Sequence, residues 1–182
     1  MHMILIMSPE LTALFNQAEP RRLSTNDLLF RNGDSIASLH LVDDGCIALE
    51  RHLENGALTC LQRAVSGQVL AEASLYADNY HCDARALEPT RFRSVPKTIF
   101  KKTLRSDAKL AENWAMYLSQ TVQRSRFLSE LRSVRTVSDR LDMWLGEFGS
   151  LPEKGQWVSV AAELAVSPEA MYRELARREQ KS

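Results

Sequence analysis

The stretch VSVAAELAVSPEAMYRELARR, residues 158–178, divides into two short helices around Ala165 and Val166. In the first, Val160, Ala161 and Leu164 share an inner face. Ser167 and Pro168 open the second as N-cap and first helical residue, and Met171 and Leu175 then face inward. Small inner residues followed by large ones are the packing of a helix-turn-helix, whose second helix enters a major groove with its N-terminal turns. The outward positions of that helix are Pro168, Glu169, Ala170 and Arg173. Arginine can bind guanine O6 and N7 together and glutamate can accept from cytosine N4, so Arg173 and Glu169 suit base reading. An unrelated helical hairpin would show the same pattern, so the surrounding sequence decides.

Immediately upstream, Gly149, Pro152 and Gly155 break the chain. Before them a helix is expected from Ser138 to Phe148, with Ser138 as N-cap and Leu141, Trp144, Leu145 and Phe148 on one face. Further back, Leu110, Trp114, Tyr117, Thr121, Ser125, Leu128 and Leu131 recur at steps of three and four, with no glycine or proline between them. This predicts a helix from Asp107 to Leu131, near 37 Å long at about 1.5 Å per residue. A small barrel cannot cover that length alone, so the apolar stripe is expected to meet its own copy in a homodimer, with Leu110, Trp114, Tyr117, Thr121 and Leu128 at the interface. The alternative is packing wholly against the chain's own domains.

The first hundred residues have another rhythm. Gly33, Gly45, Gly56 and Gly67 lie 11 or 12 residues apart, and no glycine occurs between 68 and 145. Short apolar runs fill the intervals, at 38–42, 46–52 and 57–64, and Glu54-Asn55-Gly56 carries the signal of a tight hairpin. Ile47 and Leu49 alternate with Cys46, Ala48 and Glu50, as in a strand with one buried face. A further strand pair is expected at His81 to Ala86 and Arg91 to Pro96, with helix beginning near Thr98. Regular short antiparallel strands suggest a small barrel or jelly roll.

Composition narrows the function classes. At 182 residues with 45% hydrophobic and 25% charged content, the chain can build a core. Its longest apolar opening, Met3 to Met7, is far short of a membrane span and lacks a signal peptide's basic flank, so a cytoplasmic location is expected. Three cysteines without a close pair, Cys46, Cys60 and Cys82, fit that compartment. Net charge is zero but unevenly spread: residues 1–84 sum to −6, residues 85–109 to +6, and residues 110–182 to zero. The basic middle can attract a polyanion or be a solvated face. Scattered histidines and the absence of a nucleophile elbow, P-loop or dinucleotide fingerprint leave an enzyme and a metal site as the least supported classes.

Taken in order, these parts resemble the Crp/Fnr superfamily of bacterial transcription regulators: a cyclic-nucleotide-binding-type β-roll, a dimerisation helix, then a helix-turn-helix. The similar stretches are FRNGD at 30–34, LVDDGCIAL at 41–49, SGQVLAEASLY at 66–76 and VAAELAVSPEAMYREL at 160–175. The resemblance implies an α+β chain divided at 1–106 (an antiparallel, cupin-like β-roll effector domain), 107–135 (dimerisation helix) and 136–182 (DNA-binding domain). It implies double-stranded DNA with a palindromic operator as partner, read by Ser167, Glu169, Ala170, Arg173 and Arg177. A second copy of the chain, a small-molecule effector and RNA polymerase are the other implied partners, with no membrane, cofactor or metal.

Two departures qualify this. Nucleotide-binding members follow a Gly-Glu pair with Arg-Ser or Arg-Thr about ten residues later, the arginine neutralising the cyclic phosphate. Here the positions read Ala71-Glu72 and Cys82-Asp83, so a pocket at Glu72, Ser74, Cys82 and Asp83 is expected to be degenerate. Arg85, three residues along the strand, points to the opposite face. His81 and Cys82 invite a redox reading, but as neighbours on a strand they also point apart. Family members also continue past the recognition helix into a β-hairpin wing, whereas this sequence ends seven residues beyond Leu175; a full wing is expected to be lacking, leaving Arg177, Arg178 and Lys181 for phosphates. From 158 to 182 basic and acidic residues cancel at four each. Two readings remain: a dimeric regulator that binds DNA, and an interaction module that pairs with related regulators through a degenerate DNA-binding domain.

Overall fold

The computed structural model describes residues 7–52 and 58–180. The chain divides into two compact units, one running to Leu118 and one from Ser119. The division falls within a helix instead of at the ends of the expected dimerisation segment.

The first unit opens with helix α1 (Pro9–Asn16), capped by Ser8, whose hydroxyl accepts from the Leu11 N–H at 3.2 Å. Eight strands follow: β1 (Arg21–Leu23), β2 (Leu28–Phe30), β3 (Ser38–Asp44), β4 (Cys46–His52), β5 (Leu58–Val65), β6 (Val69–Leu70), β7 (Asp83–Ala86) and β8 (Thr90–Pro96). They form two antiparallel sheets, ordered β1-β8-β3-β6 and β2-β7-β4-β5. Between β6 and β7 lies a 3-10 turn, Glu72–Tyr76. The core holds Phe30, Ile36, Val42, Ile47, Leu49, Leu70, Tyr80, Cys82 and Ala84, with the Phe30 and Tyr80 rings stacked at 3.5 Å. The Glu54-Asn55-Gly56 turn lies outside the described residues; the strands flanking it pair antiparallel, with Cys46 opposite Val65 and His52 opposite Leu58.

Two strand expectations need correction. Residues 81–86 and 91–96 do contain strands, but β7 and β8 lie in different sheets, β7 against β2 and β4 and β8 against β1 and β3. Residues 46–50 are buried on both faces, not one. β4 is an inner strand, and Ala48 lies between its register partners Arg63 and Arg85, whose aliphatic stems can shield so small a side chain.

Helix α2 (Lys97–Ser106) follows β8 directly, and α3 (Ala108–Ser133) is the long helix the periodicity predicts. Phe100 of α2 packs between Phe15 (6.0 Å) and Trp114 (4.9 Å), Trp114 stacks on Tyr117 (5.5 Å), and the Val69 N–H donates to the Tyr117 hydroxyl at 2.9 Å. Leu110, Trp114 and Tyr117 are consequently buried in the first unit itself. They are corrected from interface to core, because their apolar surface is already out of water. Thr121 is half-buried and Leu128 likewise.

Part of the basic middle is neutralised within this unit. Arg85 meets Glu50 at 3.1 Å, Arg93 meets Asp43 at 2.9 Å, and Lys109 meets Glu10 at 2.9 Å. Among the described residues, Lys101, Lys102 and Arg105 have no carboxylate partner.

The second unit packs the end of α3 with α4 (Val137–Phe148), α5 (Trp157–Glu163) and α6 (Pro168–Glu179) around Leu131, Leu141, Trp144, Val160, Ala161, Leu164 and Met171. The cap of α4 is Thr136, which accepts from the Asp139 N–H at 3.1 Å; Ser138 is already inside the helix. Among the described residues no helix is long and apolar enough to cross a membrane.

The turn between β3 and β4 tests this architecture. Gly45 has φ +88°, and a Cβ there would lie 2.5 Å from Thr90 Oγ1 and 2.7 Å from the Pro89 carbonyl. Thr90 cannot retreat, since its hydroxyl accepts from the Cys46 N–H at 3.2 Å. Gly67 has φ +81° but open space around it. Chemical denaturation should show Gly45→Ala losing about 2–4 kcal/mol, from the left-handed backbone plus the clash, and Gly67→Ala only about 1–2 kcal/mol.

Candidate nucleic-acid interface

The turn between α5 and α6 is closed by two backbone bonds, Val166 N–H to the Ala161 carbonyl at 3.0 Å and Ala165 N–H to the Ala162 carbonyl at 3.1 Å. This is a Schellman motif with Ala165 in the left-handed position, φ +53°. An alanine there carries a steric penalty that a glycine would not. Arg140 of α4 reinforces the turn from outside, donating through Nη1 to the carbonyls of Leu164 (2.8 Å) and Ala165 (3.3 Å) and through Nε to Val134 (2.7 Å). Charge thus meets the carbonyl end of α5, where a helix dipole is negative.

On the other side of the turn, the Ser167 hydroxyl accepts from the Ala170 N–H at 3.2 Å and caps α6. Met171 is buried and Leu175 packs against the core, as their spacing predicts. Glu169 and Arg173 are exposed, and Ala170 is half-buried. The Glu169 carboxyl is held below the usual carboxylate range, first by its own backbone N–H and then by the Ser167 hydroxyl. Arg173 touches only the Glu169 carbonyl among the contacts described, at 3.5 Å, the limit of a hydrogen bond. Ser167, Glu169, Ala170 and Arg173 therefore lie together at the start of one capped helix.

Arg177 lies elsewhere and does something else. It grips Glu174 with two bonds, Nε to Oε2 at 2.9 Å and Nη2 to Oε1 at 2.8 Å. Arg178 joins the same carboxylate at 2.8 Å and reaches α4, at Asp142 (2.7 Å) and the Ser138 carbonyl (2.9 Å). These arginines dock α6 on α4, so Arg177, expected as a DNA contact, is engaged with Glu174. Under this pair, led by Arg177, the Glu174 carboxyl is drawn down to about 2. Glu163 of α5 is a second ionic anchor, accepting from Arg124 and, at 2.8 Å, from Trp144 Nε1. Sequence periodicity missed Arg140, Glu163 and Glu174, because charged residues carry no apolar signal and their partners are, with the exception of α6's own arginines, far away in sequence.

In the β-roll the expected pocket does not assemble. Glu72 is buried in the 3-10 turn, with Gln62 Nε2 donating to it at 3.2 Å, and burial raises its pKa. Ser74 is buried nearby in the same turn. Cys82 packs into the apolar core, and burial pushes its thiol up, away from a reactive thiolate. Asp83 faces the other way and accepts from the Asn32 N–H at 2.7 Å, so it is corrected from pocket to loop anchor. Arg85 is turned to Glu50 and the Asn26 carbonyl. None of Glu72, Ser74, Cys82 and Asp83 carries a positive charge, and Arg85 is engaged with Glu50. His81 is exposed and Cys82 buried, so the two do point apart. Among the described residues no cluster of three or more potential ligands is placed to hold a metal ion.

The family model of the cyclic nucleotide-binding domain matches residues 20–107, the β-roll and α2. Several solved structures have a similar fold over most of the chain. FixK2 from Bradyrhizobium japonicum superposes with a TM-score of 0.71 at 16% identity, covering 90% of this chain and 85% of that one. A putative cAMP-binding regulatory protein from Silicibacter pomeroyi gives 0.65 at 23% identity, covering 94% and 81%. The c-di-GMP responsive global regulator CLP from Xanthomonas campestris gives 0.61 at 20% identity, covering 93% and 90%. The fold is that of the Crp/Fnr regulators. Among curated protein sequences no relative matches the chain.

The α6–α4 clasp makes a pH prediction. Glu174 titrates lower folded than unfolded, so its contribution is complete above about pH 4.5 and is lost as pH falls toward about 2. Thermal unfolding followed by circular dichroism should show Glu174→Gln less stable than wild type by about 1–3 kcal/mol at pH 7, with the two converging over that acid window.

Proposed function

We propose that this Crp/Fnr-type chain is a dimeric, DNA-binding transcription regulator whose sensor domain does not take cyclic AMP. The observation that carries the reading is the capped start of α6, where Ser167, Glu169, Ala170 and Arg173 lie beside the Schellman turn while Met171 holds the opposite face in the core. Such a helix presents its N-terminal side chains to a major groove, with Arg173 placed for guanine and Glu169 for cytosine. A dimer matches two half-sites about one helical turn apart. Its contact cannot use Leu110, Trp114 or Tyr117; Met116 and Val122 of α3 are exposed apolar residues available to it.

One observation favours the second reading, an interaction module with little grip on DNA. Arg177 and Arg178, the basic residues that follow Arg173, are neutralised by Glu174 and Asp142. Few cations are left on α6 for phosphates, and each phosphate neutralised adds roughly one unit to the salt slope of affinity.

A salt titration on a selected operator separates the two. Arg173→Ala should cost about 1–3 kcal/mol at its base position and relax sequence preference with little change of salt slope, in a complex whose sedimentation mass is that of two chains on one operator. Binding with no sequence preference at about 50–100 mM salt would favour the interaction module.

Calorimetry with cyclic AMP and cyclic GMP should show no micromolar binding. Cys82 lies where the phosphate-neutralising arginine would stand, and losing a charge-assisted contact to a buried phosphate costs about 1.5–3 kcal/mol. Micromolar affinity for either nucleotide would overturn this assignment.

A further inference from the structure

Outside the β-roll, within the first unit, α2 and the first turns of α3 enclose a cleft of about 330 Å³. Leu104, Ala111, Trp114 and Leu118 give it apolar walls, and Lys101, Arg105 and Tyr76 lie at its mouth. This volume is within the range of small-molecule sites.

Two features of the cleft ask for the same kind of occupant. Lys101 and Arg105 stand one turn apart on α2, where like charges repel, and no carboxylate lines the cleft. Arg85, Arg93 and Lys109, from the same basic stretch, each have a carboxylate partner; these two have none among the described residues. Finally, the Tyr76 ring, 72% exposed, lies 4.7 Å from the Lys101 ammonium and holds that charge at the mouth instead of letting it swing into water.

We propose that this cleft binds an amphipathic monocarboxylate, with the carboxylate at Lys101 and Arg105 and an aliphatic or aromatic body against Leu104, Ala111, Trp114 and Leu118. A carboxylate relieves the repulsion of the two cations, and the body fills an apolar space that water solvates poorly. Glu72, Ser74 and Cys82 do not line the cleft, although Tyr76 ends the same 3-10 turn that holds Glu72 and Ser74. Its ligand would join α2 to α3 across Asp107, which caps α3 by accepting from the Leu110 N–H at 3.0 Å. Binding is read on the protein alone, so the proposal stands whether or not DNA is the output.

The test titrates the full chain with decanoate and with 1-naphthylacetate by calorimetry, and follows the Trp114 indole resonance by ¹⁵N NMR, assigned with Trp114→Phe. Saturable one-to-one binding of at least one probe is expected, with a shift of that resonance. Decanol, with the same chain length as decanoate and no charge, should bind at least tenfold more weakly than decanoate. The double variant Lys101→Gln, Arg105→Gln should weaken carboxylate binding at least tenfold, with its circular dichroism unchanged. No saturable binding of either carboxylate at millimolar concentration, an unmoved Trp114 resonance, or decanol binding as tightly as decanoate would overturn the proposal.

Discussion

Apolar surface can leave water only once, and in this chain the stripe along α3 is where that constraint decides most. Trp114 stacks between Phe100 and Tyr117, and the Tyr117 hydroxyl takes the Val69 N–H that the end of the short strand β6 would otherwise leave unpaired. That bond and those rings commit the first turns of α3 to the β-roll. Everything said about a second copy of the chain follows from it, because a partner can use only surface that the roll has left open.

The same reasoning applies to charge in the second unit. A helix that docks through two arginines on one glutamate gains orientation, since Arg177 holds Glu174 through both carboxylate oxygens and Arg178 spans from Glu174 to Asp142. Those guanidiniums are then less available to phosphates. The start of α6, by contrast, remains open, with Glu169 and Arg173 exposed.

Within the β-roll, the interior holds side chains at the positions expected to line a pocket. Cys82 contributes to a core built with Tyr80, Phe30 and Ala84, and Asp83 is turned away to a backbone N–H. Glu72 stays as a buried carboxyl with Gln62 beside it. The cleft between α2 and α3 has the complementary character, apolar within and cationic at its mouth.

The sequence by itself determined the longer elements and their order, though not the short α1, β1, β2 and β6. Evenly spaced glycines marked the turns of the roll, of which Gly33, Gly45 and Gly67 have positive φ, and the three-and-four spacing announced α3 and the paired helices α5 and α6. Ser167 was legible as a cap because capping is a local rule. Tertiary structure decided what local rules cannot reach. Periodicity says that Leu110, Trp114 and Tyr117 share a face, but not whether a β-roll or a second copy covers it. Strand pattern says that Asp83 and Arg91 lie on strands, but not that those strands belong to different sheets. Composition says that residues 85–109 are basic, but only folding brought Glu50, Asp43 and Glu10 to some of those charges and left Lys101 and Arg105 without a carboxylate. Periodicity is a property of neighbours along the chain, whereas burial and charge pairing depend on residues tens of positions apart, and those meet only once the chain is packed.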